Sequence, residues 1–359
     1  MISFDLTEEQ LIFRRAAADV ARRRLMPAAR QADEQGALAA ESIAMAWDLG
    51  IVQAMADAGN AAIGQAAITN CLALEELAWG DSSAAMAIAA SLGFVKTLVE
   101  QGTVPQKNAW LPHFSGNLPA FAALAMTDAG IAGKAPPCRA IKGPTNYVLT
   151  GTKTAIPLAA QCRAFLVTAQ GEVGWDAFIV PSDTAGVGVR PTKTLGLRAL
   201  ELGDLVLDQV EVSAAGRLCG EKGIDLQRIT DAARIALSAV MTGLSRAVYD
   251  FTLPYTKQRL VHGEVIARKQ SVAFKLADMF AEVEAMHWMT LRAAAELDEG
   301  GDTQRNARLA QLYCADHAMW IADEGVQIFG GHGFVRDLPL EMWYRNARSL
   351  SVLEGMVGA

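Results

Sequence analysis

One pattern limits this chain more than any other. Leu226, Ile229, Ala233, Leu237, Val240, Leu244, Val248 and Phe251 step by three and four along the chain. That spacing puts every one of them on a single helical face and is incompatible with a strand, whose faces alternate every second residue. The same stepping returns at Val272, Leu276, Met279, Val283 and Met286, and residues 303–329 form a third apolar helix. Long amphipathic helices joined by short loops pack as a bundle. Pro254 should kink the first of these helices just before Tyr255.

The chain before this bundle divides in two. Residues 1–118 read as helices. Thr7 stands three residues before Gln10, a capping box, and Leu11, Phe13, Ala17, Val20 and Ala21 follow at helical spacing. Pro27 should end or kink that helix. A short helix over 42–49 stops at Gly50, and apolar helices follow over 65–79 and 82–101. Residues 119–221 change character. Short β-rich runs at 120–126, 146–151, 163–169, 176–180 and 204–212 alternate with turns such as Gly143-Pro144 and Pro181-Ser182. Strands without helices between them predict an antiparallel sheet or barrel. The expected fold class is therefore multidomain α+β. It has an N-terminal α-helical domain (1–118), a middle antiparallel β domain (119–221) and a C-terminal four-helix-bundle-like domain (222–359).

Composition excludes several functions. A net charge of −7 argues against nucleic acid, whose phosphates demand a basic face. No apolar run reaches the roughly 18 residues of a membrane helix, so no membrane span is expected. The start, Met1-Ile2-Ser3-Phe4-Asp5-Leu6-Thr7, lacks the basic and apolar regions of a secretory signal. The five cysteines show no metal-ligand spacing, so no metal is expected, and a cytoplasmic location is the default.

The chain closes on Val352-Leu353-Glu354-Gly355-Met356. A carboxylate among apolar neighbours has two readings. Glu354 is either a solvated terminal acid or a base whose pKa is raised toward neutrality.

The ordered segments resolve the choice through a resemblance. Phe4-Asp5-Leu6-Thr7-Glu8-Glu9-Gln10, Ala46-Trp47-Asp48-Leu49-Gly50-Ile51 and Leu74-Glu75-Glu76-Leu77-Ala78 come first. Leu195-Gly196-Leu197-Arg198, Asp208-Gln209-Val210-Glu211-Val212 and Tyr255-Thr256-Lys257-Gln258-Arg259 follow. Gly263, Gln270, Leu276-Ala277-Asp278-Met279, the Gln327…Gly330-Gly331-His332-Gly333 turn, Tyr344-Arg345-Asn346-Ala347-Arg348 and Glu354-Gly355 complete the set. Over nearly its whole length the chain resembles the acyl-CoA dehydrogenases, flavoenzymes that oxidise acyl-CoA thioesters in fatty acid metabolism. The resemblance implies FAD between the β domain and the bundle, with Glu354 taking the α-proton while a hydride leaves the β-carbon. It implies cofactor contacts from Thr127, Arg259, Gln327, Gly330 and Gly331, with Arg259 reaching across a subunit interface. It implies Arg234 and Gly355 beside the substrate. Electron-transfer flavoprotein is the implied electron acceptor, and a homodimer or homotetramer is the implied assembly.

The chain departs from the family pattern in its β domain. In the loop matching "TEPxAGSD", Gly133 and Lys134 replace the serine and the acid. In Gly151-Thr152-Lys153-Thr154-Ala155-Ile156-Pro157, matching "GxKxWIT", Ala155 replaces the tryptophan and Pro157 the threonine. His262, Asn346 and Met356 replace an aromatic residue, an aspartate and a threonine elsewhere. Two readings follow. The chain is an acyl-CoA dehydrogenase with an altered flavin site, or a flavin-poor or non-catalytic partner subunit of a heteromeric one, which lends Arg259 to its sister. Without the resemblance it would read as a helical interaction protein with a β insert.

Overall fold

The computed structural model describes residues 6–57, 67–129 and 136–353. Helix α1 (Glu8–Val20) starts on the expected capping box. The Thr7 amide donates to Gln10 Oε1 at 3.0 Å and the Gln10 amide to Thr7 Oγ1 at 3.2 Å. The helix does not stop at Pro27. It widens through a π-turn at Ala21–Leu25 and continues as α2 (Met26–Gln35) with the proline in its first turn. A wider turn absorbs the missing amide hydrogen and the ring's clash with the preceding turn. Gly36, at φ 70°, caps α2 in the left-handed conformation.

Helices α3 (Ala40–Trp47), α4 (Ile51–Ala56), α5 (Ala67–Gly80), α6 (Ser82–Gln101) and α7 (Val104–Trp110) complete this domain. Helix α6 is long and apolar enough to cross a membrane by length and composition, but 94% of its most apolar window lies inside the fold. It packs against α4, α5, the first strand of the β domain and the first helix of the bundle, so its alanine-rich surface is core on every side.

Seven strands make one sheet: β1 (Phe121–Ala125), β2 (Arg139–Lys142), β3 (Asn146–Ile156), β4 (Cys162–Gln170), β5 (Trp175–Pro181), β6 (Val187–Pro191) and β7 (Gly203–Ser213). The order is β1-β4-β2-β3-β7-β6, with β5 beside β4. Most pairings are antiparallel, and β4 adds parallel contacts to β1 and β2. The sequence pattern does not reveal β2 and β6. They have four and five residues and are largely exposed, so neither carries an apolar alternation.

The bundle consists of α8 (Leu226–Gln258), α9 (Gln270–Asp298), α10 (Gln304–Phe329) and α11 (Leu340–Leu350), with a hairpin of β8 (Leu260–Val261) and β9 (Glu264–Val265) after α8. Helix α8 runs beyond Pro254 to Gln258, and Thr256 Oγ1 donates to the Leu253 carbonyl at 2.8 Å. Tyr255 stacks on Phe329 of α10 with ring centroids 3.8 Å apart, and Phe251 meets both Phe329 and Trp343 of α11. These rings fix the ends of three helices together.

Buried charges tie the N-terminal domain to the bundle. Adjacent acids on α5 take cations from different helices. Glu75 meets His287 of α9 at 2.8 Å, while Glu76 binds Arg246 of α8 at 2.6 Å and Arg14 of α1 at 2.9 Å. Buried carboxylates persist only when paired in this way. Burial pulls the His287 imidazole down, but the Glu75 carboxylate raises it more, so the ring holds its proton above its ordinary value of 6.5. A raised folded-state value means that the pair's contribution is fully present below about pH 6.5 and fades as pH rises through the folded value. Replacing His287→Gln should therefore shift the urea midpoint most at pH 6 and least at pH 9. An equal shift at both would show that the ion pair is not the cause.

Candidate active site

All three domains meet on α11. The Leu197 amide of the β domain donates to Asn346 Oδ1 at 2.7 Å, and Asn346 Nδ2 donates to Ser82 Oγ of α6 at 3.2 Å. Asn346 is buried, so its side-chain amide serves as acceptor on one side and donor on the other. An aspartate, the family residue here, could not donate to Ser82. This departure is accommodated by a neutral, satisfied contact. One residue earlier, Arg345 pairs with Asp33 of α2 at 2.7 Å, binds Glu341 at 2.8 Å and donates to the Leu195 carbonyl at 2.9 Å. Burial pushes the Glu341 carboxyl up, but Arg345 and Arg30 together draw it below its ordinary range. Gly196 is required for this approach: a Cβ there would lie 2.1 Å from the Arg345 carbonyl oxygen.

Helix α11 delivers the end of the chain. Leu350 and Leu353 are buried, whereas Val352 is 67% exposed. Glu354, Gly355 and Met356, like Gly133 and Lys134, lie outside the described residues.

On the β domain, Thr127 is exposed and the residues around it are stitched to β3. The Thr154 amide donates to the Thr127 carbonyl at 2.9 Å and the Ala129 amide to the Thr152 carbonyl at 2.8 Å. Beyond Lys153 the ladder with β7 slips by one residue, and Ala155 takes φ 58°. Such a bulge re-aims a side chain out of the ladder. What it presents here is one methyl group where the family pattern has an indole. Pro157 is buried and offers only its carbonyl, which receives the Cys162 thiol at 3.6 Å.

The remaining predicted residues fall in two places. Arg259 follows α8 at the bundle's end, with its amide on the Tyr255 carbonyl at 2.8 Å and its carbonyl taking the Ile266 amide at 2.9 Å. Its side chain is exposed and forms no ion pair among the described residues. Gln327 is exposed in the last turn of α10, and the Tyr255–Phe329 stack brings that turn beside the end of α8. Gly330 has φ 58°, and a Cβ at either Gly330 or Gly331 would meet nothing within 4 Å. Gly331 has neither a positive φ nor, among the described residues, a close neighbour to require glycine. Gly333 differs: a Cβ there would press within 2.5 Å of the Val326 carbonyl oxygen.

Arg234 sits near the opposite end of α8. It lies 3.6 Å from Asp231, whose carboxylate also accepts from Gln227 at 2.7 Å and Thr303 at 3.1 Å. About 25 residues of helix separate Arg234 from Arg259, roughly 37 Å at 1.5 Å per residue. The structure gathers Arg259, Gln327, Gly330 and Gly331 and leaves Arg234 apart. Sequence reasoning missed Asp128 and the fully buried Lys153, which form an ion pair of 2.7 Å.

A helical domain, a β domain and a long-helix bundle meeting on one short helix form the architecture of thioester-oxidising flavoproteins. Comparison with known proteins makes the assignment specific. The models of the acyl-CoA dehydrogenase N-terminal, middle and C-terminal domains match residues 7–116, 123–210 and 223–357. A probable acyl-CoA dehydrogenase of Bacillus subtilis is 30% identical over 367 residues, covering 99% of this chain and 96% of that one. The cyclohexane-1-carbonyl-CoA dehydrogenase of Geobacter metallireducens is 30% identical over 365 residues, covering 98% and 95%. The structure of butyryl-CoA dehydrogenase from Megasphaera elsdenii superposes with a TM-score of 0.90 at 28% identity, covering 99% and 96%. The chain belongs to the acyl-CoA dehydrogenase family of flavin-dependent oxidoreductases.

The junction on α11 gives a direct prediction. Asn346→Ala leaves the buried Leu197 amide without a partner and should cost about 1–3 kcal/mol in chemical denaturation. A change below about 0.5 kcal/mol, as for an ordinary surface substitution, would show that this contact does not hold the domains together.

Proposed function

We propose that this chain oxidises an acyl-CoA thioester to the 2,3-enoyl-CoA, and that each of its active sites is completed by a second copy. The observation that carries the proposal is the separation along α8. The exposed Arg259, Gln327 and the open Gly330-Gly331 turn share one bundle end, while Arg234 and its acid partner lie roughly 37 Å away. Residues of one reaction centre placed so far apart on one rigid helix are best used by two different centres. Arg259, Gln327 and the glycine turn of one copy would hold the FAD bound against Thr127 of the other. A backbone turn that a Cβ would not fill suits a pyrophosphate or a ring edge at close range. A homo-oligomer of at least two copies follows, with electron-transfer flavoprotein as the acceptor the family resemblance implies.

In this reading Glu354 is the base. Its carboxylate takes the α-proton of the thioester, a role that asks for a base of raised pKa. Arg234 and Gly355 border the substrate. When bound, FAD accepts the hydride from the β-carbon, so that a Cα=Cβ bond forms as both hydrogens leave.

One observation favours a second reading. Ala155 contributes a single methyl group to the flavin wall, and Pro157 has neither a hydroxyl nor an amide hydrogen to donate. A subunit that lends Arg259 to a sister chain without using its own flavin would show this pattern. The purified protein decides between the two. An independent enzyme is yellow, with the flavin band near ~450 nm. A colourless protein that FAD cannot reconstitute favours the lending subunit. In the yellow protein, anaerobic acyl-CoA should bleach the flavin, and Glu354→Gln should slow the bleaching about 100-fold or more. Equal rates would remove Glu354 from the role of base.

A further inference from the structure

A buried cation in the β domain has no role in the chemistry described so far. Lys153 of β3 is 0% exposed. An ammonium carries three donors, and all three are used here. Nζ lies 2.7 Å from Asp128 Oδ1, 3.0 Å from the Met126 carbonyl and 3.2 Å from Thr168 Oγ1 of β4. The Trp175 ring covers it, with its centroid 5.5 Å away. Asp128 Oδ1 also accepts the Cys138 amide at 2.8 Å. One carboxylate oxygen thus joins the residue before the 129–137 segment to the residue after it, and Lys153 neutralises that carboxylate from beneath.

The position of this network matters more than its strength. Met126 and Asp128 flank Thr127, and Lys153 binds both. The backbone bonds between 127 and 154 and between 129 and 152 lie on either side of the same side chain. Two residues past Lys153 the strand bulges at Ala155. The ammonium therefore fixes the backbone on both sides of Thr127, and does so from the strand that carries Ala155. We propose that Lys153 is a positioning residue for the flavin site: with Asp128 it clasps the base of the 129–137 segment and sets where Thr127 stands. The flavin part of this proposal rests on the function proposed above. The clasp itself does not.

Two independent readouts test it. Hydrogen exchange at the Ala129 and Cys138 amides reports the clasp with no cofactor present. FAD affinity, followed by flavin fluorescence, reports its consequence. Lys153→Met, which keeps length and removes the charge, should speed exchange at both amides at least about tenfold and weaken FAD about tenfold or more. Asp128→Asn keeps the shape and should speed exchange chiefly at Cys138, with a smaller loss of FAD. Val180→Ala, a buried truncation on β5, serves as the control for a loosened sheet. The proposal is overturned if Lys153→Met leaves both readouts at wild-type values, or if Val180→Ala reproduces them. A wild-type chain that takes up no FAD would overturn the flavin reading alone, and the exchange measurements would still decide the clasp.

Discussion

The close approach of Gly196 to the backbone of α11 is the contact on which the arrangement of domains depends. No side chain fits there. Because it is glycine, the exit of the β domain lies flat on the helix, and two neighbouring amides reach side chains of that helix, Gly196 to Ser349 Oγ at 3.2 Å and Leu197 to Asn346 Oδ1 at 2.7 Å. Asn346 in turn reaches α6, and Arg345 reaches α2 and the Leu195 carbonyl. A helix of eleven residues thereby ties the bundle to both other domains. The residues that follow such a helix start from a point fixed by all three domains, which is what the proposed reaction, with its need for a precisely placed base, would require.

The second constraint is the length and rigidity of α8. A 33-residue helix cannot bring its two ends together. The residues proposed for the cofactor stand at one end, and Arg234 stands near the other. The aromatic stack of Tyr255 on Phe329 makes the far end a formed surface, with Arg259 and the glycine turn held ready and nothing of the described chain covering them. The proposed closure by a second copy would use that surface. In the proposed site the β domain faces that surface through Thr127, whose neighbours Met126 and Asp128 are both bound by Lys153.

Much of this was legible in the residues. Helix α6 spans the 82–101 that its apolar run predicts, and α8 follows its three-and-four stepping, because burial on a helical face leaves a periodic trace. The capping box at Thr7 is local and was equally plain. Features that rest on exposure or distance were not. Strands β2 and β6 are too exposed to alternate, and α11 is short and follows a glycine-rich turn. Pro27 was legible as a stop or kink, but not that a π-turn would carry the helix through it. Within the site, Arg234 and Asp231 are one helical turn apart, so their pairing could be read directly. Asp128 and Lys153 lie on different elements, and a lysine in a strand looks solvated until the sheet that buries it is known. The departures at Ala155 and Asn346 were visible, but only the fold separates them. One leaves a methyl group on a bulge where the family pattern has an indole, and the other is a satisfied structural contact.

The central claim is that one copy's Arg259 serves the flavin faced by another copy's Glu354. Co-expression of two differently tagged chains, one Arg259→Gln and one Glu354→Gln, tests it most directly. In a mixed dimer one site then carries both substitutions and the other carries neither. The account predicts that the doubly purified mixed oligomer oxidises acyl-CoA at about half the wild-type rate per dimer, while each parent alone is nearly inactive. A mixed oligomer no more active than its parents would contradict it, because it would place both residues in the same copy's site.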